Sequence, residues 1–142
     1  VRNPAELTDS FRESGLRITP QRVAVFEAMH ESAGHPSAES IYQTVSAEMP
    51  SISLRTVYQT LNDLTEMGEI RRLDFGVKAT RFDPTIDDHH HLVCDDCGLI
   101  VDAYIDVSAL PLADLDGFEA AGASVFVTGR CARCAAAAAD GS

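Results

Sequence analysis

The sequence predicts an α+β protein: an N-terminal winged helix-turn-helix followed by a small α/β module. Three observations carry this reading. Capped segments with helical apolar spacing fill residues 5–67, and two strand-like runs follow around Phe75-Gly76. After residue 88, short apolar runs alternate with turns and with two C-x2-C pairs.

Taken in order, residues 5–15 form a short polar segment that Gly15 closes. Thr19-Pro20 is an N-cap followed by Pro at the first helical position, and Val23, Phe26 and Met29 recur at helical spacing. Pro36-Ser37 starts the next helix, with Ala38, Ile41, Val45 and Met49 on one face, and Pro50 stops it. Ser53 caps a fourth helix whose apolar stripe is Leu54, Val57, Leu61, Leu64 and Met67, closed by Gly68. Its opposite face carries Arg55, Tyr58, Gln59 and Asn62. Residues 69–74 and 77–82 flank Phe75-Gly76 as a β-hairpin, so residues 1–82 form the winged-helix domain and 83–88 a polar hinge. In the second module, spanning 89–134, residues 91–93, 99–101 and 123–127 read as strands and 107–115 as one short helix despite Pro111. At about 55 residues, this part is near the size at which a metal or partner chain is needed to stabilise a core. The Ala-rich stretch 135–142 is expected to be a disordered tail.

The 142 residues are 45% apolar and 23% charged, with three Tyr, six Phe and no Trp, a soluble globular composition. No stretch approaches the roughly 20 consecutive apolar residues of a membrane span. The opening VRNPAELTDSF lacks the basic-then-apolar layout of a signal peptide, and a cytoplasmic protein is expected. Eleven basic against 22 acidic residues give a net charge of −11, which argues against indiscriminate polyanion binding. The charge is uneven. Residues 1–82 carry nine basic and 11 acidic groups, whereas 83–142 carry two and 11. Contact with nucleic acid therefore belongs to the first part, and the second would repel phosphate unless it holds cations.

The cysteines are Cys94, Cys97, Cys131 and Cys134. Each C-x2-C pair sets two thiolates at a tight turn, where both reach one tetrahedral ion, and four thiolates make a closed structural zinc site. A redox motif and unliganded thiols are the alternatives. In the run His89-His90-His91, strand parity puts His89 and His91 on one face and His90 on the other, with Cys94 on the face of His90. Asp102 on the next strand and Asp83 in the hinge offer oxygen ligands, and the mixed N/O set suits Fe(II), Mn(II), Co(II), Ni(II) or Zn(II). A solvated polar loop is the competing reading. On sequence alone His35 reads as a surface or capping histidine and His30 as an ordinary helix-face residue. Arg55, Tyr58, Gln59 and Asn62 are either the solvated side of an amphipathic helix or a surface for base edges and phosphates. Arg12, Arg17, Arg22, Arg71, Arg72, Lys78 and Arg81 add positive charge on neighbouring segments. No nucleophile triad, phosphate-binding glycine loop or paired-carboxylate site appears, so an enzyme is not expected.

The segments GLRITPQR (15–22), GHPSAESIY (34–42), SLRTVYQTL (53–61), RFD (81–83), HHHLVCDDCGLIVD (89–102) and CARC (131–134) resemble the ferric uptake regulator family of metal-dependent repressors. The resemblance runs from about residue 10 to Cys134. It implies a homodimer built by a C-terminal α/β dimerisation domain, with double-stranded operator DNA as partner. It implies structural Zn(II) on Cys94, Cys97, Cys131 and Cys134, and a regulatory Fe(II) or Mn(II) on His35, Asp83, His89, His91 and Asp102. DNA contacts fall to Arg17, Arg55, Thr56, Tyr58 and Gln59. Asp rather than Glu as the last regulatory ligand resembles the peroxide-sensing branch. The zinc-sensing branch tends to place a Cys ahead of the His run, which this chain lacks, and the nickel-sensing branch uses a richer His set. Residues 118–129 contain no His, where iron sensors often supply a ligand to an additional site. In the peroxide-sensing branch, Fe(II) lets peroxide oxidise a ligand histidine, here His35 or His89, and DNA is released. A sensor of iron or manganese level shares every one of these motifs. A metalloenzyme such as a hydrolase is the reading from a different class, and specific duplex binding separates it from the other two.

Overall fold

The computed structural model describes residues 2–32, 34–74, 80–85, 89–109, 116–120 and 123–140. The chain divides into two compact units, Val1–Ile86 and Asp87–Ser142.

The first unit contains α1 (Pro4–Glu13), α2 (Pro20–Glu31), α3 (Ala38–Glu48) and α4 (Leu54–Glu66), then β1 (Arg71–Leu73) and β2 (Arg81–Asp83). Each helix starts on a side-chain cap that satisfies an otherwise orphaned backbone donor. Glu6 N–H donates to Asn3 Oδ1 at 2.9 Å, Arg22 N–H to Thr19 Oγ1 at 3.2 Å, and Ser40 and Thr56 N–H to Ser37 and Ser53 Oγ at 3.1 Å each. Gly68, at φ +76°, ends α4 in the left-handed region, which costs a residue without a Cβ little. The short polar segment 5–15, expected as the first of four helices, is α1, and its apolar face buries Leu7 and Phe11. Phe11 meets Phe26 of α2 edge-on, with ring centroids 4.7 Å apart. Val25, Met29, Ile41, Val45, Val57, Leu61, Leu64 and Phe82 are among the other residues of this core. Leu54, expected in the α4 stripe, is 36% exposed, because it begins the helix where the stripe turns towards solvent.

The hairpin strands are shorter than expected. Arg71 pairs with Asp83, Arg72 with Phe82 and Leu73 with Arg81, antiparallel, and the turn expected at Phe75-Gly76 lies outside the described residues. Phe82 N–H donates to the Pro36 carbonyl at 2.8 Å, and Ser37 bridges Arg81. The wing is thereby tied to the segment just ahead of α3.

The second unit is a three-stranded mixed sheet, ordered β4 (Ile100–Ala103), β3 (His90–Cys94), β5 (Phe126–Gly129). β3 runs antiparallel to β4 and parallel to β5. Its register sets Val101, Leu92 and Val127 in one row across the sheet, and all three are exposed. The helix expected over 107–115 is described only as a 3₁₀ turn, Val107–Ala109; residues 110–115 lie outside the described residues. The expected disordered tail is corrected for residues 135–140, which belong to helix α5 (Ala132–Asp140). Low complexity misled there, since Ala has the highest helix propensity of all residues. No described helix is long and apolar enough to cross a membrane.

Candidate metal centres and nucleic-acid face

In the second unit the turn after β3 and the start of α5 bring four thiols together. One ligand atom from each of Cys94, Cys97, Cys131 and Cys134 lies within 4.8 Å of all the others. The Cys97 and Cys131 sulfurs are 3.9 Å apart. A tetrahedral ion with bonds to sulfur of about 2.3 Å needs sulfur–sulfur edges of about 3.8 Å, so the spacing fits zinc. Two loops are pinned for this purpose. Gly98 N–H donates to the Cys94 carbonyl at 2.9 Å, and Asp95 N–H to the Gly129 carbonyl at 2.7 Å. Cys131 N–H donates to Cys94 Sγ at 3.3 Å. That donor, followed by the Cys97 N–H, draws the Cys94 thiol down to about 6. Cys134 is pushed up to about 12 by its hydrogen bonds to the sulfurs of Cys131 and Cys97. Four thiolates together need a cation to neutralise them, and zinc is the ion whose preferences match this closed sulfur set.

The histidine run is not a solvated loop: His89, His90 and His91 are all buried. Strand alternation separates them as parity predicts. The β3–β4 register sets Asp102 directly across from His91. His89 Nε2 lies 3.1 Å and His91 Nε2 3.6 Å from the same Asp102 Oδ1, with the two imidazole centroids 4.6 Å apart. On the other side of the run, His90 Nδ1 accepts from Val125 N–H at 2.9 Å, which places its proton on Nε2 and ties β3 to the approach to β5. Sequence reasoning gave His90 no such role, because its partner lies 35 residues away.

In the first unit His35 is buried, not a surface or capping residue. Its Nε2 is 3.5 Å from Oδ2 of Asp83, which is itself 1% exposed. Thr85 N–H donates to the other Asp83 oxygen at 2.9 Å, and Arg81 Nη1 donates to the His35 carbonyl at 3.1 Å. A carboxylate so deeply buried requires cationic or hydrogen-bond compensation. One imidazole nitrogen in the first unit and two in the second therefore face a carboxylate, donors that suit a divalent ion of intermediate hardness such as Fe(II) or Mn(II). His30 is an exposed residue on α2.

The outward face of α4 is polar, as expected. Arg55 and Gln59 are exposed, and Arg17 is exposed ahead of α2, its carbonyl accepting from Arg22 Nη1. Thr56 Oγ1 and Ser53 Oγ share a hydrogen bond of 2.9 Å. Asn62 accepts from Arg72 Nη2 of β1. Tyr58 donates its hydroxyl proton to Glu39 Oε1 of α3 at 2.6 Å, a partner the sequence analysis did not single out.

A capped winged helix followed by a thiol-braced mixed sheet with paired histidines defines a class of two-unit proteins built to hold metal ions. The chain belongs to the ferric uptake regulator family, which matches residues 13–110. It is 35% identical over 132 residues to the peroxide operon regulator of Bacillus subtilis, covering 91% of each chain. It is 41% identical over 93 residues to the peroxide-responsive repressor PerR of Staphylococcus aureus, covering 66% of this chain and 63% of that one. Among solved structures, the Helicobacter pylori ferric uptake regulator Fur superposes with a TM-score of 0.78 at 22% identity, over 92% of this chain and 90% of that one, a likeness of fold. PerR from Streptococcus pyogenes superposes with a TM-score of 0.55 at 30% identity, over 94% of each chain.

Proposed function

We propose that the protein is a metal-dependent, dimeric transcriptional repressor that binds palindromic operator DNA in the cytoplasm and senses peroxide, and that it is not an enzyme. The observation that carries this reading is the pair of imidazoles, His89 and His91, sharing one oxygen of Asp102, in a chain of this family.

His35 and Asp83 of the first unit would join His89, His91 and Asp102 of the second around one Fe(II) or Mn(II), while the four cysteines would hold Zn(II). Bound Fe(II) would supply the electron that activates peroxide; Mn(II) on the same donors would not. The residues themselves explain the coupling. An ion that needs donors from both units favours the arrangement in which they meet, so ion affinity is converted into a population shift towards the DNA-binding form. An oxygen added to His35 or His89 weakens that imidazole as a donor, and the shift reverses. The exposed row Val101, Leu92 and Val127 supports a dimer through the second unit. Two copies of α4 would then lie on two half-sites, with Arg17, Arg55, Thr56, Tyr58 and Gln59 against DNA.

The test is anaerobic loading with Fe(II), one equivalent of peroxide, then peptide mass spectrometry beside duplex binding. The expected result is a single added oxygen on a peptide holding His35 or His89, His90 and His91, with DNA binding lost. Intact histidines and retained binding would show a protein that reports metal level. His35→Ala and Asp102→Ala should each cost at least about tenfold in metal-dependent DNA affinity while zinc content stays unchanged; undiminished affinity would remove these residues from the site.

A further inference from the structure

We infer that Glu39 is a positioning residue for base reading, holding Tyr58 so that it meets DNA as an acceptor and a ring edge but not as a donor. The inference rests on the DNA-binding reading above and goes beyond it by assigning a device for specificity.

Glu39 lies in the first turn of α3 and Tyr58 in the second turn of α4, 19 residues apart, and the phenol donates to the carboxylate at 2.6 Å. Hydrogen bonds from a hydroxyl to an ionised carboxylate are the short, strong kind. The Glu39 carboxylate retains the phenol's proton and raises the Tyr58 pKa. Glu39 is exposed, and Tyr58 is partly buried with its hydroxyl reaching the surface beside it. A carboxylate there is unfavourable for phosphate binding, while it suits the first turn of α3 and accepts the Tyr58 proton. The Tyr58 ring is partly buried against the core, and the bond to Glu39 adds a fixed direction for its hydroxyl.

The proton inventory sets the specificity. A phenol has one proton, and here it is committed to Glu39. Towards a base the oxygen retains lone pairs that accept from the amino group of adenine or cytosine, and the ring edge suits the thymine methyl. Guanine shows only acceptors, O6 and N7, in the major groove. Tyr58 held in this way therefore rejects guanine at the base it faces. Its neighbours on α4 differ: Arg55 and Gln59 are exposed and make no hydrogen bond or ion pair with other described residues, so their donors are available.

The experiment selects duplexes from a randomised library with the full-length, metal-loaded protein and sequences the enriched pool. Wild type should enrich a two-fold symmetric site that excludes guanine at one position per half-site. Glu39→Ala should relax that exclusion by about tenfold and leave the other positions intact. Glu39→Gln, whose amide oxygen still accepts the phenol proton, should keep the exclusion. Adding Glu39→Ala to Tyr58→Phe should change nothing further, since the pair acts as a unit. A wild-type pool without any enriched site would refute the DNA-binding reading itself. An enriched site with an unchanged pattern in Glu39→Ala, a uniform loss at all positions, additive effects with Tyr58→Phe, or Glu39→Gln behaving like Glu39→Ala would each overturn the role of Glu39 alone.

Discussion

A buried carboxylate shows how single residues close this fold. Glu69 follows the glycine that ends α4 and is buried, and its partner, Arg2, stands two residues ahead of α1. Arg2 Nε donates to Glu69 Oε2 at 3.0 Å and Nη2 to Oε1, a two-pronged pairing, and Nη2 also reaches Ser10 Oγ. The guanidinium holds the Glu69 carboxyl below its usual range. A carboxyl whose pKa is lower folded than unfolded contributes stability at neutral pH that is lost as pH falls through the folded value. Glu69→Gln should therefore melt below wild type at neutral pH, and the gap should narrow on acidification to about pH 4 and lower. Because Arg2 is half exposed, the effect is modest. Thermal melts of both proteins across that range check it. A gap that does not change with pH would assign the pairing no electrostatic weight.

At the scale of elements, α3 depends on Ser37, whose hydroxyl caps the helix and whose backbone bridges Arg81 of β2. Ser37→Ala should cost about 1 kcal/mol in denaturant unfolding. His35 stands two residues ahead, so metal affinity should fall with it; an unchanged midpoint would show that the bridge alone holds this end. The boundaries of α2, α3 and α4 were legible because caps, prolines and Gly68 act over three or four residues. The four cysteines were legible for the same reason: each pair sits in one turn. α1 was legible as a helix but its buried face was not, because only Leu7 and Phe11 mark it, too few to set a period. What the sequence hid is long-range. The Val125 N–H that His90 accepts lies 35 residues away, and the clamp of Glu39 on Tyr58 depends on how α3 crosses α4. Neither has a local signature.

For the molecule as a whole, the two units differ in what holds them. The first buries a cluster running from Leu7 to Phe82 and drawn from all four helices and the hairpin. In the second, the buried apolar residues among those described are Val93, Cys94 and Ile100, while Leu92, Leu99, Val101, Phe126 and Val127 stay exposed. A unit of this size whose described core is so small is one that a bound metal or a partner chain would stabilise. Zinc on the four cysteines would cross-link the turn after β3 to the start of α5. Its binding energy would then be folding energy for this unit. Stripping zinc with a strong chelator, or replacing Cys94 with Ser, should unfold the second unit and convert the proposed dimer to a monomer. The helices of the first unit should survive, because none of their core residues comes from beyond Phe82. Hydrogen exchange resolved by peptide separates the outcomes: protection should collapse over residues 89–129 and persist in α2 and α4. Simultaneous collapse of both units would show that they fold as one. A dimer that keeps its protection without zinc would show that apolar association through Leu92, Val101 and Val127 is sufficient, and that the thiols fix local geometry only.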